Sequence, residues 1–181
     1  IIEDGSILPS KDKSRAVENF PVPRNRKEME RFLGLTSYFR RFVDNYARVA
    51  KPCSDLLRKD SEFVIDDNVL LSIAEQKNAL IKAPALMLFN PKAETEVHAD
   101  ASKYGNGAVL LQRDSEDKGL HSVELMSKKT TPAEERYSSY ELEVVAIINA
   151  LKKLKMYLKD IKFKIVTDCN AFAMTMNKPE T

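Results

Sequence analysis

A chain of 181 residues that is 43% hydrophobic and 31% charged, with five glycines and eight prolines, has room for one moderate domain or two small ones. Low-complexity and collagen-like architectures are excluded. A formal charge of +2 says little about partners, and the apolar runs fall far short of a membrane span. Cys53 and Cys169 make neither a disulfide framework nor a metal-ligand spacing, so a reducing compartment is expected. No signal peptide is visible. The start at Ile1-Ile2-Glu3, without Met, and the end at Thr181 are expected to be cuts in a longer protein.

The first third reads as helical and locally basic. Residues 24–51 hold eight Lys or Arg against three acids. Asn25 predicts a helix cap with Glu28 as its capping-box partner. Met29, Phe32, Leu33, Leu35, Tyr38, Phe39 and Phe42 follow at helical spacing. A second helix is predicted from Tyr46 to Leu57, bent or split by Pro52, and a third over residues 68–82. Pro84 and Pro91 bracket an extended linker. The pattern then changes to alternation. Strands are predicted over residues 95–100, 108–112, 120–126 and 161–167. A long helix from Pro132 to Leu158 precedes the last of these, with Thr131 as its cap. Its expected buried stripe is Tyr137, Tyr140, Val144, Ile147, Ile148, Leu151, Leu154 and Leu158. A short helix is expected from Asn170. A helix between two strands of one sheet is a crossover, so the class is α+β with a mixed sheet.

Three acids stand in short motifs: Asp100 in His98-Ala99-Asp100-Ala101-Ser102, Glu143 in Glu141-Leu142-Glu143-Val144, and Asp168 in Val166-Thr167-Asp168-Cys169. Carboxylates brought together cannot all stay ionised without a counter-charge. A pair of Mg²⁺ ions suits oxygen ligands, and two metals about 4 Å apart cut phosphodiesters. Singly, each acid has a plainer reading: a strand-end residue, a solvated helix residue and a helix cap. The constellation carries the signal. His98 and His121 read as structural, and both cysteines as fillers. The basic stretch is either a solvated helix face or a tracker of duplex phosphates. Arg24, Arg26, Lys27, Arg31, Arg40, Arg41 and Arg48 are its candidate nucleic-acid-binding residues. Phe32, Phe39 and Phe42 are expected in the core rather than stacked on bases.

Val22-Pro23, Phe32-Leu33-Gly34-Leu35, Tyr38-Phe39-Arg40-Arg41-Phe42, Ala50-Lys51-Pro52 and Leu56-Leu57 resemble the thumb of gypsy-type LTR retrotransposon reverse transcriptases. Asp100-Ala101-Ser102, Gly107-Ala108-Val109-Leu110, Ser127-Lys128-Lys129, Thr131-Pro132-Ala133-Glu134, Glu141-Leu142-Glu143 and Val166-Thr167-Asp168 resemble the ribonuclease H domain of the same polyproteins. The match spans nearly the whole chain in order. It implies a thumb-like module over 1–84 and a ribonuclease H-like domain over 85–181 that lacks its last elements.

It implies further that Asp100, Glu143 and Asp168 are catalytic metal ligands for two Mg²⁺, with Mn²⁺ able to substitute. The choice of Glu143 over Glu141 comes from the resemblance, since both flank the apolar stripe. A fourth carboxylate would follow Thr181, and the polymerase palm would precede Ile1, so no DNA synthesis is expected of this chain. The implied substrate is an RNA/DNA hybrid whose RNA strand is cut. Implied partners are the other reverse transcriptase domains and, as an open alternative, a second copy of the chain, with no membrane. The implied location is a virus-like particle in the cytoplasm, or the nucleus. The family's usual Trp near Ile65 is absent, and Leu125-Met126 replaces a Tyr-Ala pair. These departures favour the alternative, a catalytically inactive, domesticated nucleic-acid- or protein-binding module.

Overall fold

In the computed structural model, which describes residues 1–3, 5–169, 172 and 174, the chain opens with strands β1 (Ile2–Glu3) and β2 (Ser6–Ile7) and helix α1 (Lys11–Glu18). None of these was expected. Strands of two residues have no period, and α1 is polar and buries only Val17. Helix α2 (Arg26–Ser37) starts where predicted. Asn25 accepts the backbone N–H of Glu28 at 2.9 Å, and Glu28 accepts that of Arg24 at 2.8 Å. The apolar run outlasts the helix: Arg40–Phe42 is a 3₁₀ turn, which carries Phe42 into the core next to Phe39. The second helix is split at Ala50 into α3 (Tyr46–Val49) and α4 (Lys51–Asp55). Pro52 falls in the first turn of α4, where a missing N–H leaves no bond unmade. Helix α5 (Asp67–Ile81) is capped by Asp66, which accepts from Val69. The linker then holds one more short strand, β3 (Leu86–Met87), paired with β2.

Next come β4 (Thr95–Ser102), β5 (Gly105–Arg113) and β6 (Leu120–Lys129), then α6 (Ser139–Leu158) and β7 (Lys164–Val166). Among the described residues their spatial order is β6-β5-β4-β7. Pairing is antiparallel except between β4 and β7, which are parallel because α6 crosses over between them. The sheet is therefore mixed, as expected.

Helix α6 corrects the prediction. The capping box at Thr131 and Glu134 forms, but it caps only a 3₁₀ turn, Glu134–Arg136. Tyr137 is then extended, and a second box at Ser138 and Glu141 starts the helix seven residues later than Pro132. The buried face also differs from the expected stripe. Tyr137, Tyr140 and Ile148 are each 43% exposed, whereas Leu142, Glu143, Ala146, Ile147, Ala150, Leu154 and Leu158 are buried. Ala146 and Ala150 let the helix lie close on the sheet. The helix expected from Asn170 lies outside the described residues, apart from Phe172 and Met174, which are helical.

The sheet is covered on both faces. Val97, Ala99, Ala108, Leu110, Val123 and Met126 pack with α6. Val109 and Leu125 join the cluster built on Met29, Phe32, Phe39, Phe42 and Ile73 from the helical region. Polar ties cross the same seam. Arg41 pairs with Glu124 at 2.7 Å, the Ala47 N–H donates to Ser127 Oγ at 2.7 Å, and Lys129 binds Asp55.

Candidate metal centre

Asp100 sits on β4, opposite Gly107 of β5. Asp168 lies just past the end of β7, on the parallel neighbour of β4. Glu143 is on the second turn of α6 and faces the sheet. One ligand atom from each of the three lies within 4.8 Å of the others. Asp100 and Asp168 are exposed, and Glu143 is 7% exposed.

Burial pushes the Glu143 carboxyl above the usual range, and the charges of Asp168 and Asp100 add to it against a hydrogen bond from the Ala101 N–H. That bond, 3.3 Å long, holds Oε1. Oε2 is buried without a partner among the described residues. Glu141 has another task. Its carboxylate caps the helix and is held below the usual range by the backbone and hydroxyl of Ser138. Helix geometry thus separates two acids that the apolar stripe alone left equivalent. An orphaned buried carboxylate oxygen beside two exposed carboxylates fits a hard cation, which takes oxygen ligands and removes the repulsion.

A cavity of about 360 Å³ opens beside the acids, lined by His98, Asp100, Gly107 and Asp168 together with Asp44 and Asn45 from the loop before α3. Asn45 has a left-handed backbone, φ 50°, which asparagine tolerates well. Its Oδ1 lies 2.6 Å from where a Cβ on Gly107 would stand, so the loop occupies the space that this glycine leaves. Sequence reasoning missed both Asp44 and Asn45, because no motif links that loop to β4.

His98 is hydrogen-bonded to Glu96 at 2.7 Å and lines the cavity on the same side as Asp100, while His121 is hydrogen-bonded to Asp117 at 2.7 Å. Cys53 is buried and Cys169 half-buried. Among the basic candidates, Arg24, Lys27, Arg31, Arg40 and Arg48 are exposed. Arg26 is half-buried and engaged within the chain: its guanidinium donates to the carbonyls of Leu56, Arg58 and Ser61, so it ties α2 to the segment after α4. Arg41 is partly engaged in the same way by Glu124.

A mixed sheet crossed by a helix that brings a buried glutamate to two strand-end aspartates defines a ribonuclease H-like domain. The family model for the RNase H-like domain found in reverse transcriptase matches residues 68–165, and the chain belongs to that family. It is 33% identical over 169 residues to the retrovirus-related Pol polyprotein from transposon 297 of Drosophila melanogaster, covering 93% of this chain and 15% of that protein. It is 32% identical to the transposon Tf2-3 polyprotein of Schizosaccharomyces pombe, covering 92% and 13%. The chain thus spans about a seventh of the length of these curated relatives. The foamy viral protease-reverse transcriptase dRH in complex with double-stranded DNA superposes with a TM-score of 0.79 at 18% identity, covering 99% of this chain and 32% of that one. The foamy viral protein in complex with RNA/DNA hybrid superposes at 0.75 and 19%, covering 92% and 23%. At this identity the two structures establish the fold alone.

Proposed function

We propose that the chain is the thumb and ribonuclease H portion of a gypsy-type retrotransposon reverse transcriptase, that it binds RNA/DNA hybrid, and that it hydrolyses the RNA strand with two divalent ions, Mg²⁺ or Mn²⁺. The observation that carries this reading is the convergence of Asp100, Glu143 and Asp168, with Glu143 Oε2 buried and, among the described residues, unpartnered. These three side chains would hold the cations. When bound, the cations supply charge neutralisation and Lewis-acid activation for attack on a phosphodiester. The chain's own contribution is placement. The Ala101 N–H fixes one oxygen of Glu143, the strand pair β4/β7 sets Asp100 beside Asp168, and Asp44 and Asn45 wall the cavity at their side. Residues 1–84 serve as the thumb-like module, whose exposed Arg24, Lys27, Arg31, Arg40 and Arg48 contact phosphates and so position the duplex without reading sequence.

Two measurements test this. Mg²⁺ or Mn²⁺ should raise the melting temperature of the chain, since a ligand at about 100 times its Kd stabilises by about 2.7 kcal/mol. Asp100→Asn should remove both that response and any cutting of hybrid RNA. Equal metal response and equal cutting by the variant would overturn the assignment. A wild-type chain that binds hybrid but neither responds to metal nor cuts would leave a non-catalytic binding module.

A further inference from the structure

We propose that a second cavity, at the seam between the helical region and α6, is a phosphate site that holds a backbone phosphate of the bound nucleic acid. The identity of the ligand's source rests on the function proposed above; the anion chemistry of the site does not. The cavity measures about 350 Å³ and is lined by Arg40 and Arg41 of the 3₁₀ turn, Lys128 of β6, and Asn149, Lys152 and Lys153 of α6. Asn149 to Lys153 stand six to ten residues beyond Glu143, about 9–15 Å along the helix axis, so this cavity is separate from the acidic one.

Two observations point to an anion. The first is charge. Among the described residues, five cationic side chains line the cavity against one carboxylate, Glu124, and one of the five, Lys128, also pairs with Glu134 at 3.7 Å outside the lining. That carboxylate is already engaged by Arg41 at 2.7 Å and by the Tyr157 hydroxyl at 3.3 Å. Arg40, Lys152 and Lys153 have no ion-pair partner among the described residues. The second is a pair of orphaned donors. Arg41 Nε and Asn149 Nδ2 are both buried without an acceptor among the described residues. The orientation of the Asn149 amide is set by Lys128, which donates to its Oδ1 at 3.2 Å. Buried donors are nearly always satisfied in folded proteins, so two orphaned donors on residues that line one cavity mark a wall short of acceptors. A phosphate supplies several acceptor oxygens on one centre and matches the guanidinium fork. A lone carboxylate would leave most of this charge uncompensated. Arg41 reaches across the seam to Glu124 through one terminal nitrogen, which sets its guanidinium at the edge of the cavity.

The test has two arms, both in EDTA so that the acidic site holds no metal. In the first, inorganic phosphate is titrated against chloride at matched ionic strength while the side-chain N–H signals of Asn149 and Arg41 are followed by NMR. Saturable shifts of both are expected. In the second, binding of a labelled RNA/DNA hybrid is measured against salt concentration for wild type and for Lys152→Gln/Lys153→Gln. These two side chains are exposed, so the variant should fold normally. Its log–log salt slope should shrink by about 0.9 for each phosphate that is no longer neutralised. Shifts with an unchanged slope would overturn the nucleic-acid source and leave a site for a soluble phosphate. No shift and no slope change would overturn the site itself. Neither arm requires metal or cleavage, so failure here is distinguishable from failure of the hydrolytic reading.

Discussion

Two buried polar clusters in this molecule are built on opposite terms. In the helical core, Thr36, Ser72 and Gln76 are all but inaccessible, and every one is matched. Thr36 Oγ1 meets Tyr46 Oη at 2.8 Å and Gln76 Oε1 at 2.9 Å, Gln76 Nε2 reaches Ser72, and Ser72 donates to the Val49 carbonyl at 2.6 Å. Burial pushes the Tyr46 hydroxyl and the Cys53 thiol up, so the cluster stays uncharged. Around Glu143, by contrast, a buried carboxylate faces two more acids and leaves one oxygen unmatched. A satisfied network holds a fold; an unsatisfied one stores a binding requirement.

The sharpest way to separate the two is Glu143→Gln. Hybrid cleavage should fall about 10³-fold or more, equivalent to losing roughly 4 kcal/mol of transition-state stabilisation. Stability in denaturant, measured without metal, should hold or rise by up to about 1 kcal/mol as repulsion with Asp100 and Asp168 is relieved. A loss of stability to match the loss of activity would erase the contrast. The mirror experiment is Phe32→Ala, which empties a fully buried ring position. It should cost about 3–5 kcal/mol in urea unfolding. Gln76→Ala should cost about 1–3 kcal/mol, because Thr36 and Ser72 lose a partner while staying buried.

The smallest effect belongs to the seam. Burial opposes ionisation of Asp55, but hydrogen bonds from Lys129 and Lys51 outweigh it and hold the carboxyl below the usual range. A lowered folded pKa contributes stability that is present above the unfolded value, about 3.9, and is lost as pH falls through the folded one. Asp55→Asn should therefore cost about 0.5–1 kcal/mol at neutral pH. In acid unfolding curves the gap to wild type should close below about pH 4.

Much of this architecture was legible in the sequence because its signals are local. Asn25 with Glu28 fixed the start of α2, alternation marked β4, the glycines before Ala108 and the polar loop of residues 113–119 marked β5 and β6, and the short motifs marked all three acids. The start of α6 was misread because two capping boxes stand seven residues apart, and only packing decides that Ser138 rather than Thr131 opens the long helix. Tyr140 and Ile148 were misplaced separately: both lie within α6, but on the flank of the apolar stripe that does not meet the sheet. The exposed cations among the basic candidates were readable as a group. The use of Arg26 as a tie was not, since its three acceptors are backbone carbonyls of a segment that no side-chain pattern announces. Asp44 and Asn45 were invisible for a similar reason: their place beside Asp100 depends on how the helical region docks on the sheet.

That docking leaves a trace that comparative sequence data can read. Because Asn45 Oδ1 stands where a side chain at position 107 would begin, a larger residue at 107 requires the Asn45 side chain to move or shorten, although the two positions lie far apart in the chain. Substitutions at them should be correlated among relatives: where 107 is alanine or larger, 45 should be shorter than asparagine. Such paired change would record the docking of helices on sheet as inherited, rather than renewed by chance in each lineage.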